Sequence, residues 1–184
     1  MHHSRRTVIS AFGALGAMPI LGRAPALAAE SKSVDSRVDA TLKRLYAEAP
    51  LAKELSTRAK GILVFPKITK AGLLFGGAYG EGVLRKGKVD AGRYNSVAAS
   101  YGLQAGVQSF GYALFFMNDE ALAYLDKSGG WEIGSGPSFV VVDSGMAKKY
   151  SSSTLTKDIY AFIFGQKGLM AGFGLEGSKI SKIQ

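Results

Sequence analysis

The chain has 184 residues, a formal net charge of +9 and 47% hydrophobic residues, which suits one globular domain with a real core and argues against disorder. It has no cysteine, and its two histidines are His2 and His3. If the N-terminal segment is removed, no imidazole or thiol remains. That excludes Ser-His-Asp and Cys-His catalysis and the preferred ligand sets of zinc.

Residues 1–28 read as a targeting segment. Arg5 and Arg6 open it, a weakly apolar stretch follows from Thr7 to Leu21, and Ala26-Leu27-Ala28 gives the small-x-small pattern of a cleavage site. Ser4-Arg5-Arg6-Thr7-Val8-Ile9 resembles a twin-arginine export signal, with Val8 in place of the usual phenylalanine. Cleavage after Ala28 would leave a periplasmic or cell-envelope protein; a retained membrane anchor is the alternative. Loss of Arg5, Arg6 and Arg23, with no acid, lowers the charge from +9 to +6. That basic excess is spread along the chain, so it suits an anionic surface better than nucleic acid. No apolar run after residue 28 approaches the ~20 residues of a spanning helix.

Residues 29–60 are expected to be helical. Val38, Leu42, Leu45, Tyr46 and Ala49 lie on one helix face, Pro50 breaks the run, and Leu51, Leu55 and Ala59 continue as a second short helix. Asp35, Arg37, Asp39, Lys43, Arg44, Glu48, Lys53, Glu54, Arg58 and Lys60 occupy the opposite face. This helix either lies in a bilayer interface or packs on a sheet.

From Gly61 the pattern becomes short strands. Ile62 to Phe65 reads as a buried strand stopped by Pro66. From Gly72 to Leu84, a bulky side (Leu73, Phe75, Tyr79, Val83) alternates with a nearly bare one (Gly76, Ala78, Gly80, Gly82). The bare side either lines a groove for an acyl chain or allows close packing. Arg85-Lys86-Gly87-Lys88 is an exposed turn. Val97, Ala99, Tyr101, Leu103, Ala105 and Val107 alternate with small or polar residues, the clearest strand signal in the chain. Tyr112 to Met117 is a further strand, and Asn118 caps a short helix from Asp119 to Leu125. A strand around Trp131, another from Pro137 to Val142 and the apolar run Asp158 to Phe164 follow. Leu169, Ala171, Phe173 and Leu175 alternate with Met170, Gly172 and Gly174.

These elements predict an α+β domain: N-terminal helices, one short internal helix and a mainly antiparallel, strongly coiled sheet, barrel- or sandwich-like. The helical segment 29–60 and the β-rich body 61–184 form one unit. Gly172-x-Gly174-x-x-Gly177 formally matches a dinucleotide fingerprint but has no following helix or acidic partner, so no cofactor is expected.

Several blocks in order resemble the SYLF domain family. They are Lys60 to Pro66, Ala71-Gly72 with Gly76-Gly77, Gly80 to Leu84, Ser100 to Gly106, Gly134 to Ser138, and Tyr160 with Gly165 to Leu169. The resemblance spans roughly residues 35–182. It implies binding of membrane lipid without a defined catalytic site; some members of the family bind phosphoinositides and some bind actin. With an export signal, an anionic envelope phospholipid is the expected partner; a scaffold module binding another envelope protein is the alternative. The candidate lipid-binding residues are Lys43, Arg44, Lys60, Lys67, Lys70, Arg85, Lys86, Lys88 and Arg93 beside Gly76, Gly80 and Gly82, with no metal site.

Overall fold

A computed structural model describes residues 24–72, 75–101, 106–142, 156–167, 175 and 177–183. The helices are α1 (Ala24–Glu48), α2 (Pro50–Ser56) and α3 (Asp119–Ala123), the last followed by a 3₁₀ turn at Tyr124–Asp126. The strands are β1 (Gly61–Gly72), β2 (Phe75–Lys86), β3 (Val89–Tyr101), β4 (Gly106–Phe116), β5 (Trp131–Glu132), β6 (Phe139–Val142), β7 (Ile159–Lys167) and β8 (Lys179–Ile183). Most of the expected signal segment lies outside the described residues, as do residues 168–174; positions 24–28 belong to the start of α1.

The strands form one sheet in the order β5-β8-β3-β2-β1-β4-β7-β6, strongly curled into a half-barrel. Every pairing is antiparallel except β6 with β7. The expected α+β class with a coiled, mainly antiparallel sheet is therefore what the chain adopts.

Two cores lie on the two faces of this sheet. On the concave face Leu63, Phe65, Tyr94, Tyr112, Leu114, Phe116 and Trp131 pack together, closed off by Leu122 and Leu125. The Phe65 and Tyr112 rings stand 4.7 Å apart and those of Phe116 and Trp131 6.0 Å apart. The Tyr112 hydroxyl donates to Ser96 Oγ at 2.7 Å, and burial pushes its phenol pKa far up. On the convex face Val34, Val38 and Leu45 of α1, with Leu51 and Leu55 of α2, cover Ile62, Val64, Val83, Phe115 and Phe162. Between the two cores the strands are apolar on both sides, which explains the unbroken runs at 62–65 and 112–116.

The helices cover only part of the convex face. β1 is fully buried from Gly61 to Phe65 and then alternates, and β4 is exposed at Gly106 and Val107 but buried from Phe110 onward. Half the sheet is thus a two-sided core, and its other half presents its convex side to solvent.

Three expectations change. Pro66 does not stop β1: the register slips there against both neighbours, and the strand runs on to Gly72. A bulge accommodates a residue that cannot donate to the ladder. The last strand, β8, was not apparent in the sequence because its single fully buried apolar residue, Ile180, leaves little pattern. The alternation from Ser96 to Gln108, expected as one strand, is divided between β3, which ends at Tyr101, and β4, which begins at Gly106; residues 102–105 lie outside the described residues, and Val97 and Val107 are exposed.

A polar staple joins the chain around β6 and β7. Asp158 accepts from the Ser138 N–H at 2.8 Å, the Ser138 hydroxyl at 2.7 Å and Asn118 Nδ2 at 2.7 Å. The Ser138 hydroxyl bond, then the other two, holds the Asp158 carboxyl below the usual carboxylate range. A depressed folded-state pKa stabilises above the ordinary aspartate value of about 3.9 and is lost as pH falls through the folded value. Asp158→Asn should therefore lower thermal stability at pH 7 by about 1 kcal/mol. The gap from the unsubstituted protein should shrink steadily below about pH 4 in calorimetric melts.

Candidate binding surface

Pairing across the sheet places the exposed convex residues in rows. Thr69 of β1, Tyr79 of β2 and Val97 of β3 stand side by side. The next row holds Val107, Ala71, Gly77 and Ala99 of β4, β1, β2 and β3. All seven are exposed, with Tyr79 at 49%, Val97 at 47% and Val107 at 73% of their full accessibility. Four strands at ~4.8 Å spacing make a strip about 14 Å wide. Exposed Lys67 adjoins it on β1, and exposed Lys179 pairs with Val97 across from β8. The Tyr79 hydroxyl donates to Glu81 at 2.8 Å, so the ring lies on the strip with its polar end held at the border.

The candidate cations do not form one patch. Lys60, Lys86 and Lys88 sit at the end of the sheet near the β2–β3 turn, where Lys60 meets Asp119 at 3.8 Å. Lys67 and Lys70 lie toward the opposite end of β1; ten residues separate Lys60 from Lys70, about 30 Å in a strand. Lys43 and Arg44 project from α1, and Arg44 contacts Glu48 at 3.3 Å.

Arg85 and Arg93 bind the helix to the sheet. Arg93 donates to both carboxylate oxygens of Asp35, at 2.7 and 2.8 Å. Arg85 reaches Asp39 at 2.8 Å and Asp90 at 2.7 Å. Asp35 and Asp39 are one helical turn apart, so a single edge of α1 is pinned at two points. These partners lie 46 and 58 residues apart in sequence, and no local spacing reveals them.

The bare glycine side faces the concave interior. A Cβ on Gly80 would stand 2.5 Å from the Lys67 carbonyl oxygen and from Ile68 Cδ1. On Gly82 it would stand 2.5 Å from the Val64 carbonyl and 2.7 Å from the Phe65 ring. Phe65 and Ile68 fill that space, leaving no room for an acyl chain at Gly80 and Gly82. These glycines instead let β1 fold closely over β2 at the bulge. Gly76 is half-buried opposite Gly72 and Ser100.

Sequence reasoning did not assign binding roles to Tyr79, Val97, Val107 or Lys179. The signal was present in the period-2 pattern, but alternation shows which residues share a face and not whether that face is covered.

Residues 97–184 match the family model Ysc84, described as Las17-binding protein actin regulator. This match, over just under half of the chain, agrees with the resemblance to the SYLF family. No curated protein matches the chain at a significant level. The matched segment begins within β3, and β1 and β2, which precede it, are central strands of the same sheet. SYLF is a binding-domain family and is not a known enzyme family.

Proposed function

We propose that this protein binds anionic phospholipid at the cell envelope, lying peripherally on the membrane through its uncovered convex face. The observation that carries this reading is the exposure of Tyr79, Val97 and Val107 in adjoining rows, bordered by Lys67 and Lys179. A contiguous exposed apolar surface marks a place where something docks. A tyrosine with an apolar ring and a polar tip suits the depth of lipid headgroups. Each bordering lysine adds about 1 kcal/mol against an anionic leaflet. The net positive charge, +9 for the whole chain and +6 if residues 1–28 are removed, favours approach to such a surface. No described helix is long and apolar enough to cross a membrane, so contact by helices would be from the side.

The family description names a protein partner, and an apolar strip also serves protein contacts. The bordering lysines favour the bilayer, and the two are separated by a depth measurement. Tyr79→Trp places an indole on the strip, while the native Trp131 is buried and 2% exposed on the concave side. Vesicles of phosphatidylglycerol brominated along the acyl chain should quench the new indole and leave Trp131 emitting. Equal emission with and without brominated lipid would overturn the reading.

A further inference from the structure

Beside the strip, α1 crosses the β1 bulge and leaves an open groove of about 500 Å³. Pro66, Phe110 and Phe164 give it apolar walls, and Arg37, Arg44 and Lys67 stand along it, with Glu48 3.3 Å from Arg44 and Glu81 opposite Lys67 just outside the lining. Two glycines shape it. Gly111 lets the Phe164 ring come close to β4, since a Cβ there would collide with that ring and with the Pro66 carbonyl. Gly165 adopts φ +62°, and a Cβ there would stand 3.2 Å from Arg44 Nη2. The backbone is thus kept bare where Arg44 reaches over β7.

We infer that this groove takes one single-chain anionic amphiphile, its phosphate or carboxylate head among Arg37, Arg44 and Lys67 and its chain along Pro66 and Phe164. The volume lies within the ~300–1,000 Å³ of small-molecule sites. The separation into an apolar floor and a cationic margin matches the two ends of such a molecule. Guanidinium groups suit phosphate because their donors match its oxygens in pairs. The inference rests on the convex face being lipid-facing and goes beyond it: the protein would hold a lipid molecule stoichiometrically as well as dock on a bilayer.

The test titrates the full chain by calorimetry with lauroyl lysophosphatidylglycerol below its micelle concentration. In parallel it uses lauroyl lysophosphatidylcholine and glycerol 1-phosphate, and separately phosphatidylglycerol vesicles. Saturable one-to-one binding of the anionic lipid is expected, about tenfold tighter than the zwitterionic one, with glycerol 1-phosphate showing none. Ala40→Trp, at an exposed α1 position lining the groove, should abolish this binding and leave vesicle binding intact. Arg44→Gln should remove the preference between headgroups and retain the chain. Vesicle binding without monomer binding would overturn the groove alone. Binding of glycerol 1-phosphate as tight as the lysolipid would also overturn it, since the chain would then add nothing. Loss of both vesicle and monomer binding in the unsubstituted protein would overturn the surface reading with it.

Discussion

Phe115→Ala is expected to destabilise the protein by about 3–5 kcal/mol, the range for removing a fully buried phenylalanine. Phe115 is 0% exposed and belongs to the convex core, beneath the helical layer. Its ring meets Phe162 edge-on, with centroids 5.2 Å apart and planes at 69°. Its neighbours lie in β-ladders hydrogen-bonded on both sides, since β4 pairs with β1 and β7, so the sheet cannot collapse into the space left behind. For a chain of this size the loss corresponds to roughly 10 °C in Tm. Thermal melts followed by circular dichroism would show it. Tyr79→Ala serves as the contrast: that ring is half exposed, and the change should cost well under 1 kcal/mol. Similar melting temperatures for the two variants would mean that α1 and α2 do not form a packed layer on the sheet.

The second large effect is on membrane binding. Replacing Val97 and Val107 together by aspartate removes two apolar contacts from the strip and places two anions against an anionic surface. The lost apolar burial alone is worth about 2 kcal/mol, roughly thirtyfold in vesicle affinity, and repulsion adds to it at low salt. Both side chains point to solvent, so the folded core is untouched. Aspartate does disfavour strands, by up to about 1 kcal/mol. The Val97→Thr, Val107→Thr pair keeps the branched strand shape, loses the apolar surface and should weaken binding while melting normally.

Much of the fold was legible because its signals are local. Pro50 separates α1 from α2, Asn118 caps α3 by accepting from the Ala121 N–H at 2.8 Å, and the doubly buried strands announce themselves as unbroken apolar runs. What was not legible depends on residues distant in sequence. The bulge at Pro66 satisfies two neighbours at once. The arginines expected on a lipid-facing patch, Arg85 and Arg93, are claimed by Asp39 and Asp35 of α1. Whether a strand face is covered depends on where α1 ends its crossing, so the apolar side at Val97 and Val107 read like any other core face.

The pinning of α1 bears on function as well. With Asp35 and Asp39 engaged, the helix keeps its apolar residues Val34, Val38 and Leu45 against the sheet, where they are at most 4% exposed. An interfacial role for α1 would need that packing to open. The uncovered strip needs no rearrangement, which makes it the simpler membrane-facing surface.

The central claim is that this strip and its bordering lysines bring the protein to anionic lipid. Flotation on phosphatidylglycerol and phosphatidylcholine vesicles, for the unsubstituted chain and the Val97→Asp, Val107→Asp variant, tests it most directly. The account predicts that the unsubstituted chain floats with phosphatidylglycerol, less so as salt rises, and that the variant stays at the bottom of the gradient. Equal flotation of the two proteins, or indifference to the lipid headgroup, would contradict it.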